Sequence, residues 1–64
     1  MKKVNINTAS REELQNISGI GEKMADAIVR YREEHGKFHS KEEINEIPGF
    51  SEIRRERVKA NVQL

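Results

Sequence analysis

Two short stretches of this chain carry the residue types from which a binding site can be built: Ile17-Ser18-Gly19-Ile20-Gly21 and Ile47-Pro48-Gly49-Phe50-Ser51. Glycine is the default residue where the backbone takes φ > 0 or where another molecule must come close to it. A Gly-x-Gly pair that opens a helix leaves backbone N–H groups bare, and such groups at the positive end of a helix attract phosphate. The chemistry on offer is anion recognition by main-chain donors. A lone Gly-x-Gly is usually an ordinary turn, and the imperfect second copy is what raises the reading.

The other candidates for chemistry are poor. His35 and His39 are four apart, but Gly36 interrupts the spacing and no cysteine or further histidine completes a zinc set, so both read as exposed side chains. The only aspartate, Asp26, falls inside an expected helix. A bundle of 64 residues offers no enclosed site of the ~300 Å3 or more that small substrates need. The chain therefore reads as a non-enzyme, with neither a catalytic nor a metal site. Charged residues make up 36% of it, yet 12 basic against 11 acidic residues leave a formal +1. Bulk charge is nearly silent about nucleic acid, so anion binding must come from local geometry.

The elements that would position these stretches follow from periodicity and capping. Val4-Asn5-Ile6-Asn7-Thr8-Ala9 alternates apolar and polar residues, as does Val62-Gln63-Leu64, which suggests extended ends that pair with each other. Ser10 with Glu13 is a capping-box signature, and it predicts a short helix over about residues 11 to 16 that carries Leu14 and Ile17 inward. Met24, Ala25, Ile28, Val29 and Tyr31 form a helical stripe that ends at Gly36. Phe38 then plugs the space between two halves, and the pattern restarts. Ser40 with Glu43 repeats the capping box, Ile44 and Ile47 repeat the apolar pair, and Ile53, Val58 and Val62 are expected on a fourth helix. A shift of 30 residues places Ser10 on Ser40, Glu13 on Glu43, Leu14 on Ile44, Ile17 on Ile47, Gly19 on Gly49, Ile20 on Phe50 and Ile28 on Val58, an internal duplication. The longest apolar run is Ala27-Ile28-Val29, far short of the ~20 residues of a membrane span, and no apolar leader follows Met1-Lys2-Lys3. With no cysteine there is no disulfide, so this small chain must commit nearly every apolar residue to its core.

The pattern Leu14-x-x-Ile17-x-Gly19-Ile20-Gly21-x-x-x-Ala25-x-x-Ile28 resembles the helix-hairpin-helix unit, a module that binds DNA without regard to sequence. Ile44-x-x-Ile47-Pro48-Gly49-Phe50 resembles a second unit. With Val4-Asn5-Ile6-Asn7-Thr8-Ala9-Ser10 in front and Tyr31-Arg32-x-x-x-Gly36-x-Phe38-x-Ser40-x-Glu42-Glu43 between, residues 4 to 64 look like the DNA-binding domain of the ComEA type, from the receptor of bacterial competence. The resemblance implies an all-α bundle of four to five short helices, of the SAM-like kind typified by the second domain of RuvA. It implies one tandem domain over residues 1–64, with a lead-in over 1–9 and units over 10–36 and 40–64 related by a pseudo-two-fold axis. It also implies that each hairpin lays backbone amides against a phosphate of double-stranded DNA. Carried over by position, the contacts are Ser18, Gly19, Ile20, Gly21 and Lys23, then Pro48, Gly49, Phe50 and Ser51, with Arg54 and Arg55 as nearby cations. Such a hairpin can also hold a monovalent cation through its carbonyls when DNA is bound.

Two departures rank the hairpins. Ser51 stands where the second glycine belongs, and Glu22 and Glu52 place carboxylates at both helix starts, where they compete with phosphate for the same dipole. The second hairpin is expected to bind more weakly, with Ser51 free either to cap its helix or to donate to phosphate. Arg55 replaces Ala25, which implies looser packing and a freed cation. Arg54, Arg57 and Lys59 read equally as phosphate ligands or as a solvated face with Glu52 and Glu56, and Arg30 and Arg32 read as surface charges. The competing function is a protein-interaction or structural module that reuses this fold without DNA, as an extrinsic protein of photosystem II with a similar duplication does. A monomer is expected. Whether the chain acts inside the cell, or outside it as part of an anchored receptor, is left open by these residues.

Overall fold

The computed structural model describes residues 3–64; Met1 and Lys2, the start of the expected lead-in, lie outside the described residues. Two strands of two residues each, β1 (Val4–Asn5) and β2 (Val62–Gln63), pair in parallel with Val4 opposite Val62 and Asn5 opposite Gln63. The Ile6 amide extends the ladder by donating to the Gln63 carbonyl at 2.9 Å. The expected pairing of the ends is therefore present, and it ties the first residues of the fold to the last. Val62 belongs to this strand and not to the fourth helix, because the chain turns extended there (φ -120°, ψ 160°).

Between the strands lie α1 (Arg11–Gln15), α2 (Glu22–His35), a 3-10 helix (Lys41–Glu46) and α3 (Glu52–Asn61). The Ser10 hydroxyl accepts from the Glu13 amide at 3.1 Å while the Glu13 carboxylate accepts from the Ser10 amide at 2.9 Å, so the first capping box is complete. The second is not formed. The Glu43 carboxylate reaches past Ser40, accepting from the His39 amide at 2.6 Å and from the Tyr31 hydroxyl at 3.2 Å. Ser40 makes no side-chain cap, and the segment winds as the tighter 3-10 form, with the Glu43 amide donating to the Ser40 carbonyl.

One apolar cluster joins both halves. Ile6, Leu14, Met24, Ile28, Ile44, Val58 and Val62 are fully buried, with Ala9, Ile17, Ile20, Ala25, Phe38 and Ile47 packed among them. α1 packs on α2 and the 3-10 helix packs on α3, in the order the duplication predicts. Ile53 departs from the expected stripe: its side chain is 70% exposed, because it occupies the position of Lys23 in the first unit rather than that of a core residue.

Asn7 supplies a join that periodicity does not predict. Its Oδ1 accepts from the Phe38 amide at 2.7 Å and its Nδ2 donates to the Phe38 carbonyl at 3.1 Å. The lead-in thus pairs with the linker in the manner of a strand, and holds the Phe38 ring between the halves, stacked on Tyr31 with centroids 4.8 Å apart. Arg32, expected as a surface charge, is half-buried and donates to the Ile6 carbonyl at 2.9 Å. Among the described residues no helix is long and apolar enough to cross a membrane.

Removing a side chain that satisfies a partly buried peptide costs the desolvation of both orphaned groups, so Asn7→Ala should destabilise the fold by about 1–3 kcal/mol, read as a lower urea midpoint. Hydrogen bonds from the His39 amide and then from Tyr31, offset by partial burial, hold the Glu43 carboxyl below its ordinary value of 4.5. A carboxyl depressed in the folded state contributes stability above its unfolded value and loses that contribution as pH falls through the folded one. Thermal stability should therefore decline as pH drops below about 4.5, and Glu43→Gln should shallow that decline in melts recorded across the acid range.

Candidate functional site

The two hairpins sit between α1 and α2 and between the 3-10 helix and α3. Gly19 and Gly49 both take the left-handed conformation, φ 84° and 90°, which L side chains rarely adopt. Gly21 does not. Its backbone is extended, with φ -94° and ψ -177°, and an added Cβ would meet nothing within 4 Å. The turn therefore requires Gly19, whereas the missing side chain of Gly21 serves to leave open surface over the start of α2.

That start carries unused donors. Gly21 is the N-cap of α2 and provides no side-chain cap; the first helical bond runs from the Ala25 amide to the Gly21 carbonyl at 3.1 Å. Among the described residues, the amides of Glu22, Lys23 and Met24 have no acceptor within the chain. The second hairpin differs as the Ser51 departure suggested. The Ser51 hydroxyl caps α3 by accepting from the Arg54 amide at 3.3 Å, which takes up one donor that the first hairpin leaves free.

The carbonyl sides of the turns also differ. In the first, the Ile20 amide closes onto the Ile17 carbonyl at 3.0 Å. In the second, the corresponding Ile47 carbonyl accepts from Arg55 Nη2 at 2.6 Å. Arg55 is thus not the freed cation expected from its place opposite Ala25: it is half-buried, its guanidinium is spent on its own hairpin, and its Nε is buried without a partner. Arg54 crosses to the other unit and donates to the Gly19 carbonyl at 3.0 Å.

Both hairpins border one shallow groove, lined by Gly21, Glu22, Lys23, Met24, Gly49, Phe50 and Arg54. Phe50 serves two purposes there, packing partly on the core while edging the groove. Ser18 and Pro48 are exposed at the turns, whereas Ile20 is buried beneath the first with its amide taken by the Ile17 carbonyl, so it shapes the turn and has no free donor of its own, contrary to its expected place among the contacts. Arg57, left undecided by spacing, lies directly against Gly19. Nothing in a single helix face reveals that placement, because it is set by how the two units meet. Asp26 is paired with Arg11 at 2.8 Å, and His39 faces Glu43 with Nδ1 at 3.3 Å.

A pair of glycine hairpins, each between two short helices and both on one groove, defines the helix-hairpin-helix architecture. The chain belongs to that family: the family described as helix-hairpin-helix motif matches residues 1–63. Within it the chain is of the ComEA type, being 49% identical over 59 residues to ComE operon protein 1 of Bacillus subtilis (strain 168), across 92% of this chain and 29% of that protein. An uncharacterized protein of Haemophilus influenzae is 51% identical over 49 residues, covering 75% of this chain and 44% of its own length. The endonuclease/exonuclease/phosphatase family domain-containing protein 1 of Homo sapiens is 40% identical over 60 residues, 94% of this chain and 10% of that protein. The chain thus spans less than half the length of each of these relatives.

Gly19→Ala places a Cβ in a left-handed residue and against a neighbouring side chain, and should lower stability by roughly 1–2 kcal/mol. Gly21→Ala should leave the melting temperature unchanged or slightly raised, since its conformation suits any residue. Paired thermal melts of the two variants check the distinction.

Proposed function

We propose that this chain holds double-stranded DNA through its phosphate backbone, without sequence preference, acting as a single tandem domain over residues 1–64 and as a monomer. The observation that carries the reading is the uncapped start of α2 at Gly21, with three free amides facing open surface beside a second hairpin on the same groove. Backbone donors at a helix start suit a phosphate oxygen, and phosphate contacts position a protein without reading bases. Ser18, Gly19, Gly21 and Lys23 form the stronger contact, with Ile20 holding the turn from beneath; Pro48, Gly49, Phe50 and Ser51 form the weaker one, and Arg54 lies between them. The ComEA-type resemblance of residues 4 to 64 supports a place for this binding in DNA uptake, and the likeness to ComE operon protein 1 agrees with that type.

We assign the chain no catalytic step. Its Asp26 is engaged by Arg11, and the likeness to an endonuclease/exonuclease/phosphatase family domain-containing protein extends over a tenth of that relative. The rival reading, a protein-interaction module, draws on the exposed Ile53 and the acidic residues Glu22 and Glu52.

Fluorescence anisotropy with two unrelated duplexes over a salt series decides between the two. DNA binding predicts equal affinities for both duplexes, in the range of ~10⁻⁴ to 10⁻⁶ M near physiological salt, that fall steeply as salt rises. No binding at low salt would rule it out. Gly21→Val, with its fold verified, should weaken binding more than Gly49→Ala.

A further inference from the structure

The first hairpin carries a feature that its own unit does not supply. A Cβ on Gly19 would lie 2.7 Å from Arg57 Cδ and 2.8 Å from Nη1, with Nε at 3.3 Å. The guanidinium of α3 therefore occupies the space a side chain would have taken, and Gly19 is needed there both for its backbone and to admit it. Arg54, one turn earlier on α3, donates to the carbonyl of the same glycine at 3.0 Å. Two cations of the second unit thus converge on the turn of the first.

Several other arginines and one lysine are already engaged. Arg11 pairs with Asp26 and Lys59 with Glu56, both at 2.8 Å, while Arg32 and Arg55 donate to backbone carbonyls. Among the described residues the Arg57 guanidinium has no ion pair and no hydrogen bond, and Glu56, its acidic neighbour in the chain, is held by Lys59. The duplication provides an internal control. Arg57 corresponds to Ala27 and Arg54 to Met24, and a Cβ on Gly49 would meet nothing within 4 Å. No cation of the first unit returns the contact.

We propose that Arg57 is a phosphate ligand of the first hairpin, so that this site is assembled across the two units: main-chain donors from α2 and a guanidinium from α3. The proposal rests on the DNA-binding reading above. Packing against Gly19 restricts the side chain before any ligand arrives, and its planar donors match the paired oxygens of a phosphate. No guanidinium packs on the glycine of the second hairpin, where Lys23 only borders the shared groove, so the two sites differ in cation placement as well as in capping.

The test measures the salt dependence of duplex binding for the wild-type chain, Arg57→Gln, Arg57→Lys and Arg30→Gln. The last removes the same charge from an exposed position on α2. Loss of one phosphate contact should reduce the slope of log affinity against log salt by about 0.9 and weaken binding roughly tenfold at low salt. Arg57→Gln should show both effects, Arg57→Lys should keep most of the slope, and Arg30→Gln should stay within about twofold of wild type. Thermal melts establish that the variants are folded. If the wild type binds and Arg57→Gln behaves as Arg30→Gln does, the composite site is wrong while the DNA reading survives. If the wild type fails to bind, both fall.

Discussion

One apolar core drawn from both halves of the chain holds the fold together, and the placement of the hairpins depends on that sharing. Ile17 and Ile20 flank the first turn and are buried; Ile47 precedes the second and is buried with them, and Phe50 leans on the same cluster. Each glycine turn is therefore pinned from below on either side. A loop held in this way keeps its shape without any ligand present, which lowers the ordering cost that a flexible loop would meet on binding. The parallel pairing of Val4 with Val62 and the Asn7 bonds to Phe38 close the same unit from the ends and the middle.

Sharing a core also lets the copies diverge. The first hairpin keeps a glycine at the cap and an open set of amides. The second fills the same position with Ser51, spends a donor on it, and covers its Ile47 carbonyl with Arg55. These changes make the second turn self-sufficient. They also leave Arg54 and Arg57 directed toward the partner turn rather than their own. On the proposed reading one turn presents the donors and the other unit supplies charge to it, a local arrangement that the near-neutral total of +1 conceals.

Much of this was legible in the residues alone. The Ser10–Glu13 box, the stripe through Met24 and Ile28, the end of α2 at Gly36 and the thirty-residue echo located the elements, because each signal is local or periodic. Where the reading failed, a side-chain contact that no period encodes won. Glu43 was drawn from its expected cap to His39 and Tyr31, Arg32 was drawn inward to Ile6, and Arg55 turned back on its own hairpin. Asn7 bridges 31 residues to Phe38, a separation at which no helical or strand period carries information. The pairing of Arg57 with Gly19 likewise depends on how the units meet, and spacing within one helix cannot reveal it. Gly21 is the reverse case: its role as open space was inferable from type, and its extended backbone removes the turn as the reason for the glycine.

The start of α2, and not that of α3, is the proposed principal seat of a phosphate. Amide chemical shifts recorded while a short duplex is titrated into the labelled protein test it residue by residue. The largest changes are expected at Gly19 through Met24, with smaller changes at Gly49 through Ser51 and little change along the exposed face of α2 around Arg30. Maximal shifts around Ile53 and Ala60 with none at Gly21, or equal shifts at the two hairpins, would contradict it.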